Sequence, residues 1–438
     1  VQRYRFFSYL CAFKEKKLIR KILHTFFTKI FAALIGFATI VLVSHLLGAQ
    51  GKGEQSLFLY NSVLLSLVAT LIGNSTLIYL TPRHKFSELF FPSVSWIFVS
   101  MALLFGVLIC FSSIIITYPK ELFVVVCFSA LTEVNTYVLI GKERVAQANN
   151  LKILWQLVSI SFLGALAFLG DFSSTYDYVL SLLLGYGLSC LYGIWLLRDE
   201  YLHLQVPKWK DYCQMCKLMF SLGAIKQLGS IAQSMNARFS FYLITLYCGS
   251  EALGIFSNGI SITEAVLMFG SSLALVQYSR LANIDNEGYA RHLSLLMTKI
   301  NIAFTFVALL VLCLLPQSFY TLLFGAQFKD VKAVIELLSI GVLMLSISST
   351  FTQHFASKGN FSITMSASLV GLVITIGLGF WLVPLWGLKG AGITTVASYC
   401  VTSLIEYHYF KRWTNTKAKD FLITKADIRL LKSLRKLF

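Results

Sequence analysis

The chain has 438 residues, 57% of them apolar and 13% charged, with a mean hydropathy of +0.72. Soluble globular domains carry about 45–50% apolar and about 25% charged residues. A soluble enzyme, a secreted disulfide scaffold and a disordered chain are therefore excluded. The excess of 37 Lys+Arg over 20 Asp+Glu would point to nucleic acid in a soluble protein; in this composition it points to a membrane, and no nucleic-acid partner is expected.

A helical crossing needs roughly 20 mostly apolar residues. After a basic segment at 1–24, twelve such stretches follow: 25–47, 56–80, 89–116, 122–140, 153–169, 178–197, 218–247, 255–278, 296–315, 331–357, 361–383 and 391–410, before a basic tail at 411–438. The predicted fold class is an all-α polytopic membrane protein of twelve transmembrane helices. The first stretch is too long for a signal-peptide core and has no clear cleavage site, so it reads as a retained span. Pro82, Pro119, Pro207, Pro316 and Pro384 fall in predicted loops, and Pro92 in the first turn of the third span, where its missing N–H costs nothing. Long continuous runs, rather than short alternating ones, argue against a β-barrel.

Lys and Arg set the orientation. The two termini and the even-numbered loops carry 29 of them, the odd-numbered loops only Lys52, Lys120, Lys329, Lys332 and Lys389. Both termini are therefore expected in the cytoplasm. The nine cysteines show no framework, and Cys213-x-x-Cys216 has no second pair, so no metal site is expected. With no P-loop and no catalytic triad pattern, no cofactor and no ATP hydrolysis are expected.

The loop at 198–217 divides the chain into an N-lobe at 25–197 and a C-lobe at 218–410, six spans each. An internal echo supports duplication: Gly48-Ala-Gln-Gly-Lys-Gly53 after the first span and Gly249-Ser-Glu-Ala-Leu-Gly254 after the seventh. With an even number of spans in each half, the repeat is parallel.

Ionisable groups within spans cost about 2.5–3.5 kcal/mol at the bilayer centre, which makes each a functional candidate. On a helical wheel of the seventh span, Lys226, Gln227, Ser230, Gln233, Ser234, Arg238 and Ser240 share an arc of about 160°. The arc reads either as a cavity wall carrying two cations or as a helix–helix seam with Lys226 snorkelling. Arg238 and Glu264 on the next helix fall at matching depth, as a structural ion pair or as a pair in which an anionic substrate displaces Glu264. Lys29 reads as a snorkelling or a cavity cation. Glu133, sharing a face with Ser129, Thr132 and Thr136, could carry a coupling H⁺ or Na⁺ or simply pair with a cation. His45 and His354 are expected at interfaces, and Asn61 and Asn74 as glue between helices.

Five segments in order resemble a known family. Leu46-Leu-Gly-Ala-Gln-Gly-Lys-Gly-Glu, Asn236-Ala-Arg-Phe-Ser-Phe, Gly249-Ser-Glu-Ala-Leu-Gly-Ile-Phe-Ser, Leu322-Leu-Phe-Gly-Ala-Gln-Phe and Trp386-Gly-Leu-Lys-Gly-Ala-Gly are similar to motifs of the polysaccharide and O-antigen flippases. These belong to the multidrug/oligosaccharidyl-lipid/polysaccharide exporter superfamily. The resemblance implies a V-shaped transporter of two six-helix lobes with a cationic cavity, working by alternating access in a bacterial plasma (inner) membrane. It implies an undecaprenyl-pyrophosphate-linked oligosaccharide as substrate, destined for O-antigen, lipopolysaccharide or another surface polysaccharide. Arg238, Lys226 and Lys29 would face its pyrophosphate, and a polysaccharide polymerase and glycosyltransferases would be partners. Ser240 stands where the family pattern has an acid, so no ion-coupling role carries over there. A cation-coupled multidrug exporter of the same superfamily is the alternative. A membrane-embedded polymerase or ligase, an enzyme, is a further one, although the outer segment Pro316 to Asp330 offers only Lys329 for it.

Overall fold

The computed structural model describes residues 2–110, 117–281 and 286–421, with side chains from residue 28 on except at a few positions. Among the described residues there is no β-strand, and nine helices are long and apolar enough to cross a membrane. The chain forms two compact units, Val1–Gln227 and Leu228–Phe438. The first holds α1 (Gln2–Ala69), α2 (Ser75–Leu80), α3 (Phe86–Cys110), α4 (Pro119–Gly141), α5 (Val145–Leu169), α6 (Thr175–Leu196), α7 (Arg198–Leu202) and the start of α8 (Trp209–Ala265). The rest of α8 opens the second, with α9 (Leu267–Leu281), α10 (Glu287–Leu314), α11 (Gln317–Phe324), α12 (Val331–Ser357) and α13 (Phe361–Thr414).

Three of these helices are interrupted by a glycine. Gly48 (φ 64°, ψ −168°) breaks α1, Gly249 (φ 86°, ψ 174°) breaks α8 and Gly387 (φ 55°, ψ −128°) breaks α13. The first two lie in a backbone region open essentially only to glycine. They are also the two residues that open the internal sequence echo, so the echo records a shared backbone break.

In the first unit α4 is central, because Val125, Val126, Ala130, Val134 and Val138 are all fully buried. Close approach replaces the hydrophobic effect as the source of packing in lipid. A Cβ on Gly185 of α6 would strike the Trp155 carbonyl of α5, and one on Gly193 would strike Asn135 of α4. Tyr201 donates to Asn135 Oδ1 at 2.7 Å and ties α7 to α4. In the second unit the segment Leu322-Leu-Phe-Gly-Ala-Gln-Phe folds into α11 and a following 3-10 turn. Tyr320, Phe324 and Phe328 are fully buried there, so this motif serves packing.

Several expected boundaries shift. The second span is interrupted between Ala69 and Ser75, where Thr70 to Asn74 form turns. Pro92 lies inside α3, beyond its first turn, and Pro384 lies inside α13, just before the Gly387 break. Most of the polar stretch at 198–217 is helical, because α7 and the first turns of α8 occupy it. Polarity there marks a helix outside the apolar region, not a loop.

Gly249→Ala should destabilise the purified protein by about 1–3 kcal/mol through backbone strain. Gly377→Ala, where open space surrounds a helical glycine, should be neutral or stabilising by up to about 1 kcal/mol. Thermal unfolding in detergent checks both.

Candidate functional site

Arg238 and Glu264 are 26 residues apart, a distance of about 39 Å along an unbroken helix. The break at Gly249 turns the chain back and brings the two together. Arg238 Nη1 donates to Glu264 Oε1 at 2.8 Å and Nη2 to Oε2 at 2.5 Å, a two-point fork. Tyr399 of α13, itself buried, donates to Glu264 Oε1 at 3.3 Å. The guanidinium carbon lies 5.4 Å from the centroid of the Phe241 ring. About a quarter of each charged side chain remains exposed (24% and 26%). The planar fork that grips a carboxylate in this way also matches two oxygens of a phosphate. Tyr399 would leave Glu264 with a partner if an anion took the guanidinium from it.

The neighbouring Asn236 faces a different set of groups. Its Oδ1 accepts from Ser398 at 2.6 Å and Thr375 at 3.0 Å, while its Nδ2 faces Thr402. Asn236 thus joins α8 to both halves of α13. Deeper in α13, Glu406 is 1% exposed and accepts from Ser348 at 2.5 Å and Thr352 at 3.1 Å. Sequence reasoning singled out neither Tyr399, Asn236 nor Glu406 as a site residue. Glu406 carried a usable signal, an acid inside the twelfth apolar stretch, but its position near the basic tail hid it.

The other expected residues are dispersed. Lys226 and Gln227 belong to the first unit, Ser230, Gln233, Ser234, Arg238 and Glu264 to the second. Lys226 and Gln233 are exposed; Ser230 and Ser234 are half-buried. Gln227, expected on a cavity wall, is 2% exposed. Its side-chain amide is bonded within the first unit: Nε2 donates to the Leu67 carbonyl at 2.9 Å, and Oε1 accepts from Asn74 at 2.9 Å. Gln227 is therefore a seam residue, and Asn74 acts as the expected glue. His354, expected at an interface, is buried among side chains near the end of α12, with Nδ1 2.9 Å from Ser294 Oγ and its ring against Phe410. The Lys29 side chain lies outside the described residues.

Glu133 lines a cavity of about 440 Å³ within the first unit, with Ser66, Ser129, Thr132, Thr136 and Lys152 among its walls. Ser66 and Ser129 share a hydrogen bond of 2.6 Å. The Lys152 ammonium attracts the Glu133 carboxylate and lies 5.7 Å from the Tyr137 ring. Among the described residues no group of three or more His, Cys, Asp or Glu could hold a metal ion.

Apolar helices, glycine-broken hairpins and partnered charges within the spans define a multi-pass helical membrane protein. Its fold is similar to those of solved transporters. An inward-facing multidrug resistance MATE family transporter superposes with a TM-score of 0.72 at 14% identity, over 88% of this chain and 94% of that one. The lipid II flippase MurJ, in an inward closed conformation, superposes with a TM-score of 0.69 at 14% identity, over 91% and 88%. No protein-family profile matches the chain. The capsular polysaccharide biosynthesis protein CapF of Staphylococcus aureus is 23% identical over 199 residues, 45% of this chain and 50% of CapF. The probable low-salt glycan biosynthesis flippase Agl15 of Haloferax volcanii is 18% identical over 283 residues, 64% of this chain and 58% of Agl15. The chain spans about half the length of the curated relatives it matches. The resemblance read from the five segments is thus met by the fold and by relatives named for glycan biosynthesis.

A double-mutant cycle on Arg238 and Glu264 should return a coupling on the order of 0.5–3 kcal/mol. Glu264→Ala alone should destabilise more than Arg238→Ala/Glu264→Ala, because the single change strands a partly buried cation. Thermal unfolding of the three variants measures this.

Proposed function

We propose that the chain is a flippase that moves lipid-linked oligosaccharides, with an undecaprenyl-pyrophosphate anchor, from the cytoplasmic to the outer leaflet of a bacterial inner membrane by alternating access. The observation that carries this reading is the Arg238 fork, a guanidinium within a membrane helix, held by the Glu264 carboxylate and a quarter exposed. Names of the relatives, with a glycan flippase and a capsule biosynthesis protein among them, support the substrate class. Twelve crossings in lobes at 25–197 and 218–410 are supported by the glycine breaks in α1, α8 and α13. The Lys and Arg asymmetry supports cytoplasmic termini.

The energetics suit such a substrate. Outward movement of a negative charge across an inside-negative membrane is favoured by about 2.3 kcal/mol per charge per 100 mV. What opposes the step is stripping water from pyrophosphate and sugars. Charge-assisted donors such as Arg238, with Lys226 and Lys29 as further cations, lower that barrier, while the lipid tail stays in the bilayer. Ser230, Gln233 and Ser234 offer generic partners to sugar hydroxyls. The chain acts as a transporter and not as an enzyme, beside polymerases and glycosyltransferases that make and use the glycan. Glu133 is the candidate for ion coupling.

A second reading, a cation-coupled multidrug exporter, is favoured by one observation, the fold likeness to a MATE transporter. Proteoliposomes separate the two. With a fluorescent undecaprenyl-pyrophosphate oligosaccharide, the protein should expose the label across the bilayer. Arg238→Ala should slow this at least about tenfold, the loss expected for one charge-assisted contact, with normal insertion. Glu264→Gln should retain flipping. Full activity of Arg238→Ala, or efflux of an organic cation with no lipid flipping, would overturn the proposal.

A further inference from the structure

The second unit contains a cavity that the transport reading leaves unused. It encloses about 610 Å³ where the start of α10 meets the ends of α12 and α13, and Glu287, Arg291, His354, Lys358, Trp413 and Asn415 are among its walls. Around it the chain is strongly basic, with Lys411, Arg412, Lys417 and Lys419 all exposed.

Its principal cation already holds an anion. Arg291 Nη2 donates to Asp420 Oδ2 at 2.5 Å, and Arg291 Nε donates to Thr416 Oγ1 at 3.2 Å. The Lys417 backbone N–H donates to the same Asp420 oxygen at 2.8 Å. These contacts, the Lys417 N–H first and the guanidinium next, hold the Asp420 carboxyl below its ordinary range. The tail thus places a carboxylate where Arg291 can receive an external anion.

Depth selects the ligand. The cavity lies at helix ends, and Trp413, 45% exposed, packs edge-on against Phe355 at 5.6 Å. A tryptophan at the end of a membrane helix sits at headgroup level, and basic pockets between such ends suit anionic headgroups. We propose that this pocket binds a phosphate anion, presented as the phosphodiester of an anionic phospholipid headgroup, through Arg291 and Lys358, with Asp420 as the internal competitor it displaces. The proposal depends on the membrane setting and is independent of which substrate the protein moves.

Thermal stability of the full chain in a neutral detergent tests this with three probes: dioctanoyl phosphatidylglycerol, dioctanoyl phosphatidylcholine and inorganic phosphate. Phosphatidylglycerol should raise the midpoint saturably, and phosphatidylcholine should not. Arg291→Gln/Lys358→Gln should weaken half-saturation by about tenfold or more. Asp420→Asn should tighten it severalfold, because the competitor is gone. Equal responses to both lipids, or a half-saturation unchanged in Asp420→Asn, would overturn the proposal even if the double variant failed to fold. An equal, variant-sensitive response to inorganic phosphate alone would uphold the phosphate chemistry and overturn the lipid as its source.

Discussion

Water is absent from the hydrocarbon region, so every polar group carried into it must find a partner in the protein. That constraint shapes both units. Arg238 and Glu264 satisfy each other at two points, Tyr399 adds a third contact, and Glu406 rests on two hydroxyl side chains. Asn236 and Gln227 spend their amides on neighbouring helices. The groups differ in one respect that matters for function. Gln227 and Glu406 are sealed, whereas the Arg238–Glu264 pair keeps about a quarter of its surface open. A sealed pair can only hold helices together; an open one can exchange its partner.

Backbone approach is the second determinant. In lipid, tails compete equally well for apolar surface, so helices gain by coming close. Gly185 against the Trp155 carbonyl and Gly193 against Asn135 show how glycine permits this in the first unit. The glycines at 48, 249 and 387 have another task, reversing or bending the chain at positive φ, the first two at angles open essentially only to glycine. The proximity of Arg238 to Glu264 follows from the second of them.

Much of this was legible in the sequence because apolar length and glycine spacing are local properties. The membrane class, the helical character and the depth match of Arg238 with Glu264 all follow from rise per residue and hydropathy. Facing direction is not local. A helical wheel grouped Gln227 with Arg238, yet the wheel does not say which neighbour lies opposite, and for Gln227 that neighbour is Asn74 together with the Leu67 carbonyl. Tyr399 escaped notice because a tyrosine in an apolar run reads as core until its hydroxyl partner is known. Boundaries slipped where polarity and helicity diverge, as at α7 and the first turns of α8. The Leu322 to Phe328 segment matched a family pattern, but only burial reveals that its aromatic rings are packing elements.

The seam joining α9, α10 and α12 carries one remaining consequence. Gln277 bonds to Ser294 and the Thr350 carbonyl, Ser294 to His354, Thr298 to Thr350, and Asn301 to the Ser346 carbonyl. Bonds of this kind have directions and fixed lengths, so the three helices cannot slide past one another by fractions of a turn without breaking several at once. The seam therefore behaves as a rigid strut. Flexing during any working cycle then falls outside this seam, as at the bend at Gly387.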